Sequence, residues 1–76
     1  MFILMIRDLY ESFVTLVAFS TEEEAMEAFD KWEQGIPTGI AAVDRDSMRH
    51  FEGRTEGTVL NASAASEGKP EVLMEH

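Results

Sequence analysis

A chain of 76 residues with 15 acidic side chains against 6 Lys and Arg carries a formal net charge of −9. Such a surplus repels phosphate backbones and anionic lipid, so direct binding of nucleic acid or membrane is not expected; basic surfaces and cations are the natural partners. The absence of cysteine excludes disulfides and thiolate metal sites, whereas 45% apolar residues is too many for a chain held open by its charge. A domain this small buries a low fraction of its surface and gains from association, so a homodimer is expected.

In chain order, Phe2–Ile6 is a continuous apolar run, too short for a helix and suited to a buried strand. It is also too short for a signal-peptide core, has no basic residue before it, and is broken by Arg7, Asp8 and Glu11. No stretch approaches the ~20 apolar residues of a membrane span, and a cytoplasmic protein is expected. Residues 7–12 carry turn chemistry, after which Phe13–Phe19, "FVTLVAF", reads as a second strand paired with the first in a hairpin. Alternation puts Phe13, Thr15, Val17 and Phe19 on one face and Val14, Leu16 and Ala18 on the other. Both faces are largely apolar.

The segment Ser20–Gly35, "STEEEAMEAFDKWEQG", is the clearest helix. Ser20 or Thr21 supplies the N-cap, each with a glutamate three residues on, and Gly35 followed by Pro37 supplies the stop. Ala25, Ala28, Phe29 and Trp32 make one apolar stripe, and Glu23, Glu27 and Asp30 run along the opposite side. Beyond it, Ile40–Val43 and Met48–Glu52 read as a second hairpin turning at Asp44–Ser47, and Thr58–Leu60 as an edge strand. From Asn61 onward the chain is small, polar and punctuated by Gly and Pro. The expected architecture is α+β. A single antiparallel sheet of roughly three to five strands in ββαββ order carries one amphipathic helix on one face, with the domain over 1–60 and a flexible tail over 61–76. Phe29 and Trp32 from the helix, with Leu16 and Phe19 from the second strand, are the expected core anchors.

Candidate chemistry is sparse. Asp44-Arg45-Asp46-Ser47 starts like a calcium loop, but the positions that need glycine and a closing acid hold Arg49 and Thr55, so a turn with solvated acids is the better reading. His50-Phe51-Glu52 matches half of a zinc-deaminase signature whose cysteines are missing. "GRTEGT" over Gly53–Thr58 lacks the Lys-Ser/Thr pair of a phosphate loop, and "NAS" over Asn61–Ser63 is a sequon with no secretory leader to give it meaning. No catalytic residues, cofactor or metal are expected.

The acidic helix is then the most informative feature. Helix-dipole stabilisation accounts for Glu22, Glu23 and Glu24 in the first turn, and Glu27–Lys31 is a favourable i,i+4 pair. Neither accounts for Asp30 and Glu33 in the second half. Carboxylates at Glu23, Glu27 and Asp30, extended by Asp44 and Asp46 from the hairpin turn, imitate a row of phosphates. The expected function is a non-enzymatic inhibitor of phage type, a nucleic-acid mimic that occupies a basic, nucleic-acid-handling protein such as a CRISPR or restriction effector or a host DNA-binding protein. The alternative is a small homodimeric regulatory or structural module whose acidic surface serves only solubility.

Overall fold

Two β-rich runs at the start of the chain pair as expected, strand β1 over Phe2–Asp8 with strand β2 over Val14–Phe19. The computed structural model describes residues 1–62 and 71–76. After β2 come helix α1 (Glu22–Gln34), helix α2 (Ala41–Phe51), strand β3 (Thr55–Asn61) and strand β4 (Glu71–Glu75). The strands form one open antiparallel sheet in the order β2-β1-β3-β4. The class is α+β, but the element order is ββααββ, with two helices rather than one.

Helix α1 begins where Thr21 accepts a hydrogen bond from the Glu24 N–H at 3.2 Å. It ends in a Schellman motif: Gly35 adopts φ +73°, its N–H reaches the Trp32 carbonyl, and the Ile36 N–H reaches that of Lys31. Ala25, Ala28, Phe29 and Trp32 are buried against Leu4 and Ile6 of β1, Val59 of β3 and Val43 of α2. Phe2, Val17, Phe19, Met26, Ile40 and Leu73 pack around this core.

The expected second hairpin is a helix, and the reason lies in what its inward face carries. Val43, Asp46 and His50 fall at i, i+3 and i+7, a helical stripe in which two of the three members are polar. Hydrophobic periodicity does not register such a stripe, because Asp46 is buried through hydrogen bonds rather than apolar contact. The turn chemistry of Asp44 is real but serves the helix start. Its carboxylate accepts from the N–H and hydroxyl of Thr38, each at 2.7 Å, and from the Gly39 N–H at 3.2 Å. This ties the inter-helix loop to the first turn of α2, whose N-cap Ile40 has no side chain able to do so.

Three further expectations are corrected. Thr58–Leu60 belongs to a longer strand that lies between β1 and β4 rather than at an edge. The span read as a tail over 61–76 includes Asn61, the last residue of β3, and the whole of β4, which adds the outer strand; residues 63–70 lie outside the described part. Leu16 is not a core anchor: it is 62% exposed on the side of the sheet away from the helices. Thr15, its neighbour, is the inward residue, because its hydroxyl bonds to Asp46.

Gly57 explains how Trp32 fits. A Cβ at this position would lie 2.5 Å from the Trp32 ring and 3.2 Å from that of Phe29. A residue that ordinarily weakens a strand interior here lets two rings approach the backbone. Gly57→Ala is therefore expected to cost about 1–3 kcal/mol through overpacking. Trp32→Ala should cost about 3–5 kcal/mol, against less than about 0.5 kcal/mol for the exposed Glu27→Ala. Denaturant melts of the three variants check this ranking.

Candidate functional site

Helix α1 presents six carboxylates, Glu22, Glu23, Glu24, Glu27, Asp30 and Glu33, against a single cation, Lys31. Glu23, Glu27 and Asp30 are exposed and lie opposite the buried stripe. Successive members of this row are one helical step apart, about 5–6 Å between Cβ atoms. Lys31 pairs with Glu27 at 3.1 Å, and His76 approaches Glu33 at 3.9 Å. The helix therefore contributes −5 of the formal −9, concentrated on one side of the molecule.

The arginines do not offset that field, because each is engaged elsewhere. Asp46, 1% exposed, accepts from the Thr15 hydroxyl at 2.8 Å and from Arg45 Nε at 3.3 Å, with Arg49 Nη1 at 3.8 Å. Asp8, 2% exposed, accepts from the N–H groups of Tyr10 and Glu11, both at 2.8 Å, and from Arg49 Nη1 at 3.2 Å. Arg54 adds contacts to Asp8 and Glu11, and Arg7 pairs with Glu56. Arg49 and Arg45 lie over the Phe13 ring, and Arg54 over Tyr10, at 4.8, 5.8 and 5.4 Å. The network clamps α2 and the start of β3 to the β1–β2 turn.

The structure thus separates the five acidic residues singled out by the sequence. Glu23, Glu27 and Asp30 share one open face. Asp44 is half-buried and spends its oxygens on the inter-helix loop, and Asp46 is buried in the ionic network, so neither extends the row. Of the expected anchors, Phe29 and Trp32 are buried, Phe19 is half-buried beside the core, and Leu16 lies on the far side of the sheet. Asp8, Thr15, Arg49 and Arg54 escaped the sequence reading. Asp8 opens a turn, as an Asx residue should, but nothing local links it to arginines 41 or more positions away.

The second notable surface is the sheet face that neither helix covers. Ile3, Met5 and Leu60 are half-buried there by their strand neighbours, while Val14, Leu16 and Val72 are 47, 62 and 52% exposed. Register places Leu16 beside Met5, and Ile3 beside Leu60, which is itself beside Val72.

A third cluster joins the two helices to β3 and β4. His50 packs against Trp32 in a tilted contact, 4.2 Å between ring centroids, and His76 closes on both rings. Trp32 Nε1 and His50 Nδ1 are buried without a hydrogen-bond partner. Among the described residues no group of three or more His, Asp or Glu is placed to hold a metal ion. No protein-family model, curated protein or solved structure matches this chain.

Acid should expose the ionic network. The Asp8 carboxyl is held below its ordinary 3.8 first by the Glu11 N–H, then by the Tyr10 N–H and by Arg54 and Arg49, against the opposing effect of burial. A depressed carboxyl stabilises the fold above its unfolded value and loses that contribution as pH falls through the folded value. The stability gap between wild type and Asp8→Asn is thus expected to be full at neutral pH and to close below about pH 3.8, as thermal melts across that range would show. Asp46→Ala, which leaves the buried Thr15 hydroxyl without its acceptor, should cost about 1–3 kcal/mol at neutral pH.

Proposed function

We propose that this is a non-enzymatic binding protein that uses the outer face of α1 as a substitute for a run of phosphates, occupying a Lys- and Arg-lined groove on a nucleic-acid-handling protein. The observation that supports it is the segregation of charge. Arg7, Arg45, Arg49 and Arg54 are paired with acids of the hairpin, α2 and β3, leaving α1 with a net −5 and Lys31 as its only cation. An uncompensated field of this kind steers a basic partner and accelerates encounter. The row available for the purpose is Glu23, Glu27 and Asp30, flanked by Glu22 and Glu24, and shorter than the five-residue row expected from the sequence. An inhibitor directed at a CRISPR or restriction effector or a host DNA-binding protein fits this chemistry, and a cytoplasmic setting belongs to the same reading. Among the described residues no helix is long and apolar enough to cross a membrane.

A second reading, a homodimeric regulatory or structural module with a merely solubilising acidic face, is favoured by one observation, the apolar side of the sheet that neither helix covers.

Capture of a partner from a host lysate, followed by affinity measurement, tests the first reading. Replacing Glu23, Glu27 and Asp30 together by lysine should weaken binding by at least about 100-fold while leaving the circular dichroism of the fold unchanged. Wild-type association should slow steeply between about 50 and 150 mM salt, as the Debye length contracts. Binding that survives the triple reversal and ignores salt would leave α1 as a solubility device.

A further inference from the structure

We infer that the face of the sheet that neither helix covers is the contact surface between two copies of this chain, packed sheet on sheet. The inference does not depend on what α1 binds.

Both helices lie on one side. Leu4, Ile6, Thr15, Gly57 and Val59 point toward α1 and α2, and alternation sends Ile3, Met5, Leu16, Leu60 and Val72 the other way. Four strands about 4.8 Å apart and about six residues long make a flat footprint of roughly 400 Å². Two such faces total roughly 800 Å² of flat footprint, which side-chain relief brings to about 1,000 Å², the lower limit of a specific interface. Two copies of one twisted sheet are matched in curvature and pack aligned.

Charge selects the occupant. Arg7 and Glu56 pair on this face, leaving it close to neutral apart from Glu75 at the β4 rim. It is the surface on which a strongly acidic chain can meet another copy of itself. A basic partner, in contrast, is drawn to α1, on the opposite side of the sheet. In the face-to-face dimer the two α1 axes stand about 30 Å apart, one sheet spacing plus two helix-on-sheet layers, well beyond the ~8 Å Debye length at physiological salt. Their mutual repulsion is screened.

Sedimentation equilibrium of the full chain from about 1 to 500 μM is the test, a range in which a dimer of modest interface changes population. The mass should rise from 8.5 kDa toward twice that value. Leu16→Lys on β2 and Val72→Lys on β4 sit at more than half-exposed positions, so each should fold normally by circular dichroism. Each alone should weaken dimerisation at least about tenfold. Joint sensitivity of two opposite sheet edges distinguishes a whole-face contact from pairing through one free edge. The lysine triple mutant of α1 should dimerise like wild type, and raising salt to about 500 mM should leave the dimer unchanged or tighter. A chain that stays at monomer mass throughout, whether or not it captures another protein or a vesicle, overturns the inference. A dimer untouched by either substitution, lost on α1 reversal or weakened by salt overturns it equally.

Discussion

The hydrogen bond from Thr15 to the buried carboxylate of Asp46 orients the sheet. Strand β2 is apolar on both faces and carries no preference of its own for which side meets the helices. Once Thr15 turns inward, Val17 and Phe19 follow it toward the core, and Val14, Leu16 and Ala18 face away. Pairing transmits the choice: Thr15 stands opposite Ile6, and Ile6 opposite Gly57, so the inward set of the three neighbouring strands is settled together. A one-residue slip would invert all of it and bury Leu16 in place of a satisfied hydroxyl.

The same carboxylate governs the distribution of charge. Asp46 and Asp8, both nearly inaccessible, hold Arg45, Arg49 and Arg54 at the end of the molecule where α2 meets the hairpin. A buried carboxylate without its cation would be costly, so these arginines are not free to migrate toward α1. Phe13 and Tyr10 provide ring faces for the guanidinium groups, which keeps the network compact. The charge of α1 is therefore left uncompensated partly through packing elsewhere: three of the four arginines are engaged where α2 meets the hairpin.

Two surfaces of opposite chemistry result, with the core between them. One is charged and far-reaching in its field, so its interactions weaken as salt screens them. The other is apolar and near neutral, so its interactions depend on area and shape. Trp32 joins the two layers. It is carried by the acidic helix, lies on Gly57 of a central strand, and packs against His50 of α2. Its close approach to the β3 backbone sets the helix-to-sheet distance for α1, and the ionic network does the same for α2.

The amino-acid sequence alone was sufficient for the class, the first hairpin, and α1 with its caps, apolar stripe and acidic face, because each is encoded by neighbours within a turn or two of the chain. It was also sufficient to show that β2 has two apolar faces. Helix α2 was illegible because its inward positions hold Asp46 and His50, and a pattern read from apolar spacing sees alternation where the structure has a helix. The central place of β3 and the existence of β4 depend on pairings with other strands, for which such short segments give no local sign. The tertiary structure alone decided which face of β2 is covered, and that Asp44 is engaged by the inter-helix loop and Asp46 by the buried network rather than in the acidic row. Both outcomes rest on contacts across some thirty positions or between neighbouring elements, Thr15 with Asp46 and Thr38 with Asp44, whose energy exists only once the chain has brought them together.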